Sequence, residues 1–385
     1  MEAFEVRVAD DVLDDLRRRL RAARFPDEIS DSGWDYGSEL ATVRELAAYW
    51  AEEYDWRAAE RSLNRFSQCL VPVESPEGPL RMHCIHQRSP VAEALPLLIT
   101  HGWPGSVWEL HRVIGPLSDP GAHGGSARDA FHVVCPSLPG YGFSEAPRRA
   151  GFDVEAVART MAALMERLGY GRYGAQGGDW GASVSAWLGR LYPERLLGLH
   201  LNLVPARRPQ EDAFDGLSAD ELSRLDRGRR FRDEGTGYQA IQGTKPQTLG
   251  YGLHDSPVGL LGWILEKFHA WSDCDGDVLR RFDRDDLLTN VTIYWVTGTI
   301  TSSMRLYCES RRSGQFGGRG PESRVEVPTA CALFPAELFL PPRRWAEAAF
   351  RVEQWTEMPR GGHFAALEEP ELLIEDVRKF FARYR

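Results

Sequence analysis

An acidic residue set among glycines is the first feature that could do covalent chemistry. Gly177, Gly178, Asp179, Trp180 and Gly181 fall where a short strand-like run gives way to a helical pattern. Small residues at such a junction permit the strained turn of a nucleophile elbow, which lifts the central side chain clear of the backbone. Serine is the usual occupant, and here it is aspartate. A carboxylate is a poor nucleophile for acyl transfer, but it can displace a leaving group at a saturated carbon and form an ester. The competing reading is a cap for the helix that begins at Trp180. A second segment, His101-Gly102-Trp103-Pro104-Gly105-Ser106, follows the apolar run LPLLIT. There the backbone N–H of Trp103 could form one half of an oxyanion hole, with the N–H of Trp180 as the other. Seen alone, HGWPGS could equally be a Pro/Gly turn, and the sequence leaves open whether the Trp103–Pro104 bond is cis.

Of ten histidines, His363 stands apart in Arg360-Gly361-Gly362-His363-Phe364, a glycine-flexed loop just ahead of the terminal helical pattern. An imidazole so placed suits a general base. Glu337, beyond the strand-like ACALF, is the acid expected to orient it, with Glu347 and Glu353 as competitors.

These groups need a scaffold. In residues 1–90, FEVRV alternates like a strand, and Val12, Leu13, Leu16 and Leu20 line one side of a helix. A second helix is expected over about 38–54 and a Pro/Gly-broken hairpin over about 70–86. From Leu95 the text repeats strand, loop, helix: LPLLIT, a helix near 107–117, FHVVCPSL, a helix after Asp153, YGRYGAQ, a helix from Trp180, then LLGLHLNLV. The helix after Phe152 places Val154, Val157, Ala158, Met161, Leu164, Met165 and Leu168 on one face, with Asp153 as its cap. Such alternation requires a mostly parallel, doubly wound α/β sheet with helices on both faces. It stops after Val204 and resumes at VPTACALF, so the mainly helical 205–324 reads as an inserted lid. The α/β domain is then 91–204 with 325–385, and 1–90 is an extension. Nucleophile, acid and histidine follow one another in the chain order of the α/β-hydrolases.

The sequence resembles the microsomal-type epoxide hydrolases over nearly its whole length. The motifs that carry the likeness include YDWRAAERSLNRF, HGWPGS, SLPGYGFS, GGDWG, QGTKPQT, ILEKF, YWVTGTITSS and GGHFAALEEPELL. The resemblance implies that Asp179 is the nucleophile, His363 the base, Glu337 its acid, and Tyr238 and Tyr307 two lid tyrosines. It also implies an extension that wraps the catalytic domain and lid. Two phenols make chemical sense, since an opened epoxide leaves an alkoxide that a neutral acid must protonate. Spacing alone does not choose them over Tyr251 and Tyr294, and lid packing is the plainer role. A haloalkane dehalogenase would use the same elbow, with Trp180 against the halide, but a departing halide needs no proton. A catalytically silent ligand-binding protein of this fold is the third alternative.

Composition narrows the partners. The 385 residues carry 46 Lys+Arg against 56 Asp+Glu, a net charge of −10, which disfavours nucleic acid and anionic membrane. Six cysteines, none paired as CxxC, read as buried thiols in a reducing cytoplasm. No apolar run approaches the roughly 18 residues of a membrane span, so a soluble cytoplasmic protein is expected. The family's membrane anchor is not carried over. Of the 46 basic residues only Lys245, Lys267 and Lys379 are lysine, an arginine skew typical of a GC-rich bacterial genome. Twelve Trp and seventeen Phe suggest a small hydrophobic, aromatic epoxide as substrate, within aromatic catabolism, detoxification or secondary metabolism. A homodimer is left open. No metal-ligand spacing or nucleotide loop occurs, so no cofactor is expected. Epoxide turnover should therefore survive dialysis against EDTA unchanged; loss of activity restored by a divalent ion would contradict this.

Overall fold

The computed structural model describes residues 1–209, 211–316 and 323–385. Its strands are β1 (Glu2–Ala3), β2 (Gln68–Ser75), β3 (Gly78–Gln87), β4 (Leu95–Thr100), β5 (Phe131–Pro136), β6 (Tyr173–Gly177), β7 (Leu196–Leu201), β8 (Val325–Leu333) and β9 (Phe350–Glu357). They form one sheet in the order β1-β2-β3-β5-β4-β6-β7-β8-β9. The pairs β1–β2, β2–β3 and β3–β5 are antiparallel, and from β5 to β9 every pair is parallel. This is an α/β-hydrolase fold.

The parallel strands are apolar on both faces, and their period of two divides them between two cores. Leu97, Ile99, Val133 and Cys135 join one buried cluster, while Leu98 and Val134 join the other. Each large aliphatic side chain so buried contributes about 1.5–3 kcal/mol. Helices Val154–Arg167 and Asp179–Leu191 cover one face; His111–Ser118 and Pro370–Phe381 cover the other. In Val154–Arg167 the expected apolar face is buried, and the Asp153 carboxylate caps it by accepting from the Ala156 N–H at 3.0 Å.

FEVRV is not a strand. Pairing ends with Glu2↔Leu70 and Ala3↔Cys69. The N–H of Val6 donates to Asn64 Oδ1 at 2.8 Å and that of Val8 to Glu60 Oε1 at 2.7 Å. Side chains of the neighbouring helix, Trp56–Leu63, and of Asn64 at its C-terminal end thus satisfy donors that a strand would have paired. Alternation in so short a segment reports one buried side, not a ladder.

Between β7 and β8 the described chain is helical. Its innermost helix, Arg284–Thr297, is buried although Thr289, Asn290 and Thr292 lie on it. Those polar groups are bonded to the N-terminal segment: Trp50 Nε1 donates to Thr292 Oγ1 at 3.0 Å, and the Tyr54 and Thr289 hydroxyls meet at 2.8 Å. On its other side Asn290 Nδ2 donates to the Pro104 carbonyl at 2.8 Å and the Tyr294 hydroxyl to that of Gly105 at 2.7 Å. Among the described residues no helix is long and apolar enough to cross a membrane.

At the elbow, glycine is required by close approach. A Cβ on Gly181 would lie 2.0 Å from the Thr100 carbonyl oxygen, and one on Gly177 2.3 Å from the Gly181 carbonyl. Replacing Gly181 by Ala should therefore destabilise the protein by about 1–3 kcal/mol through overpacking. Gly252→Ala, on an exposed helical position with open space around it, should instead stabilise by roughly 0.5–1 kcal/mol. Denaturant titrations of both variants check the pair, and equal stability would refute the steric account.

Candidate active site

Asp179 opens helix Asp179–Leu191 directly after β6, with φ at +46°. A non-glycine residue in this left-handed region is strained by about 1–3 kcal/mol, which the surrounding packing must hold. One oxygen of its carboxylate, Oδ1, accepts from the Trp103 N–H at 2.8 Å. Trp103 lies in the loop after β4, the parallel neighbour of β6, so adjacent strand ends bring the two together. A Cβ on Gly102 would fall 2.2 Å from that same Oδ1, which explains the glycine in this loop. The Trp103–Pro104 peptide is cis. The Trp180 N–H lies in the first helical turn, where donors have no intrahelical acceptor.

His363 sits in the loop after β9. Gly361, at φ +99°, donates its N–H to Asp273 Oδ2 at 2.8 Å, and the His363 N–H donates to the Trp271 carbonyl at 2.9 Å. The imidazole is thereby aimed in two directions. Its Nδ1 lies 2.7 Å from Glu337 Oε1, and its Nε2 lies 3.4 Å from Asp179 Oδ2. Glu337 follows β8 and is itself fixed, accepting from the Leu338 N–H at 2.7 Å. Burial alone would depress the basicity of His363, but Glu337 and then Asp179 outweigh it and hold the imidazole well above its ordinary pKa.

The four tyrosines differ in their surroundings. Tyr251 is 73% exposed and Tyr294 is spent on the Gly105 carbonyl. Tyr238, on Gly237–Gln242, and Tyr307, on Ile300–Arg312, are 5% and 2% exposed, with ring centroids 5.9 Å apart. Trp103 stacks on Tyr238 at 5.3 Å, and Trp180 meets Tyr307 edge-on at 4.9 Å. Burial, with the charge of Asp179 in support, pushes both phenols above their ordinary pKa, so they are neutral donors.

Residues 1–110 match the family model described as epoxide hydrolase N terminus, and residues 96–293 match the alpha/beta hydrolase fold. A Stigmatella aurantiaca relative assigned to the epoxide hydrolases is 44% identical over 99% of this chain and 85% of its own. The chain belongs to the epoxide hydrolase family. Epoxide hydrolase 1 of Sus scrofa is 39% identical, covering 98% of this chain and 87% of its own. The crystal structure of juvenile hormone epoxide hydrolase from Bombyx mori superposes with a TM-score of 0.92 at 33% identity, over 100% of this chain and 94% of the other.

In this epoxide hydrolase a cavity of about 700 Å³ reaches Asp179 and both tyrosines, lined further by Leu203, Phe316, Phe339 and Trp345. A larger surface depression of about 1000 Å³ beside Tyr251 and His254 touches none of these groups. Asp179, His363, Glu337, Trp103, Trp180, Tyr238 and Tyr307 are thus assembled at one place. The sequence does not mark Trp271 and Asp273, which hold the His363 loop through a backbone carbonyl and a carboxylate from the middle of the insertion. A main-chain acceptor leaves no residue-type signal.

Because Glu337 supplies the larger of the two anionic effects on His363, Glu337→Gln should lower the imidazole pKa. Proton NMR titration should show that downward shift, and an unmoved titration would remove Glu337 from this role.

Proposed function

We propose that this epoxide hydrolase opens its substrate through a covalent ester on Asp179. The observation that carries the reading is the division of labour between the two carboxylate oxygens: Oδ1 is held by the Trp103 N–H, while Oδ2 faces His363. Oδ2 attacks a ring carbon and the carbon–oxygen bond breaks. Tyr238 and Tyr307 donate to the departing oxygen, and one of them gives it a proton. Oδ1 then becomes the ester carbonyl oxygen, already placed for the N–H groups of Trp103 and Trp180 to hold the oxyanion of the second step.

Alkylation converts the Asp179 carboxylate into a neutral ester. His363 thereby loses one of the two anions that hold its proton, so its pKa falls and that proton is released to solvent, leaving a neutral imidazole free to accept one from water. Activated water attacks the ester carbonyl carbon, the Cγ–Oδ2 bond breaks, and the vicinal diol leaves carrying Oδ2. The proton taken by His363 returns to the tyrosine through solvent. The helices of 205–324 act as the lid over this site, and 1–90 braces the lid. The aromatic lining of the cavity favours an aromatic or other apolar epoxide. Two buried phenols against Asp179 favour an epoxide over a haloalkane, whose leaving group needs no acid.

Isotope labelling tests the covalent step. With enzyme in excess over epoxide in H₂¹⁸O, the first diol should be mostly unlabelled and the label should appear in a peptide containing Asp179. His363→Gln should still alkylate but hydrolyse the ester about 10²–10⁴-fold more slowly, so an adduct of the whole epoxide should accumulate there. Labelled diol in the first turnover, with no adduct, would mean that water attacks the epoxide directly and would sink the two-step mechanism.

A further inference from the structure

Helix Pro257–Trp271 turns one of the three lysines of this arginine-rich chain inward. Lys267 is 5% exposed, and its Nζ lies 4.5 Å from the centroid of the Tyr238 ring, with the Trp271 and Trp263 rings at 5.7 Å and 6.0 Å. Its charged partner is the Glu266 carboxylate. Burial lowers the pKa of Lys267, and the Glu266 carboxylate beside it works against that. A buried cation is costly unless paired; Glu266 pairs this one, and the mechanism above gives it no part.

We infer that Lys267 is a positioning residue for oxygen protonation: set against the π face of Tyr238, its ammonium strengthens that phenol as an acid and holds the ring toward the epoxide. The inference rests on Tyr238 being an oxygen donor. Burial makes this phenol a weak acid, and the carboxylates of Asp179 and, further off, Glu266 weaken it more. As the O–H proton leaves, negative charge spreads from the oxygen into the ring. Attraction between the ring and a cation on its face grows in step, so Lys267 stabilises the donor more after transfer than before. Among the described residues no cation lies over the Tyr307 ring, which makes Tyr238 the phenol that gives up its proton in this reading. An ammonium suits this position as a compact point charge on a flexible stem.

The test separates the two chemical steps by stopped-flow tryptophan quenching, with styrene oxide as the probe. Lys267→Met keeps length and apolar volume and removes the charge. It should slow alkylation about tenfold, the scale of a desolvated cation–π contact, while ester hydrolysis stays within about twofold. Lys267→Arg should recover most of the loss, and Lys267→Gln serves as a second neutral variant if Met fails to fold. In a Tyr238→Phe background, Lys267→Met should have no further effect on alkylation, because its target is gone. Additive losses in that double variant, equal slowing of both steps, or no slowing at all would each overturn the inference while leaving the covalent mechanism standing. If Tyr238→Phe alone leaves alkylation unchanged, the donor role of Tyr238 falls, and the inference falls with it.

Discussion

The contact from which the rest of the site follows is made by backbone: the N–H of Trp103 meets the Asp179 carboxylate at 2.8 Å. Two loops can come that close only if no side chain stands between them. Gly102, Gly177 and Gly181 each occupy positions where a Cβ would lie within 2.3 Å of another heavy atom. The parallel pairing of β4 with β6 sets the distance between the loops, and the left-handed turn at Asp179 sets the direction of the carboxylate. A strained aspartate is therefore held by packing rather than by its own conformational preference.

Around that contact the molecule is built as a series of braces. Helix Arg284–Thr297 holds the HGWPGS loop through Asn290 and Tyr294, and is itself held by Trp50 and Tyr54 of the N-terminal segment. At the other end of the cleft, Trp271 and Asp273 grip the His363 loop through two main-chain N–H groups. The insertion thus supplies the two phenols and also fixes the loops that carry the Trp103 N–H and the imidazole. Both loops are thus tied from outside the sheet, which fixes the carboxylate and the imidazole relative to each other.

Charge placement follows the same economy. Asp179 and Glu337 flank one imidazole, and each favours its protonated form. In the proposed cycle one of those charges vanishes when the ester forms, so the substrate itself switches His363 toward acting as a base. Lys267 applies the converse logic to a neutral acid, with a fixed charge beside a group whose own charge is transient.

What the sequence determined by itself was the periodic part, and it marked the residue types at the candidate site. The alternation of apolar strands with the Val154–Leu168 type of helix specifies a parallel sheet, because each strand must be covered on both faces. The glycine-set Asp179, HGWPGS and the loop of His363 stood out by their conjunction in one chain order, and Glu337 by its place just past a strand end, with Glu347 and Glu353 still in competition. Tertiary structure decided the matters that depend on contacts between distant segments. FEVRV alternates, yet its donors are taken by Asn64 and Glu60. Tyr238 and Tyr307 differ from Tyr251 and Tyr294 only in what surrounds them. The grip of Trp271 on His363 runs through a carbonyl that every residue possesses, and the position of Lys267 over Tyr238 arises from two helices whose spacing no local pattern encodes. Periodicity and residue type are local properties of the chain, whereas the surroundings of a side chain belong to the packed molecule.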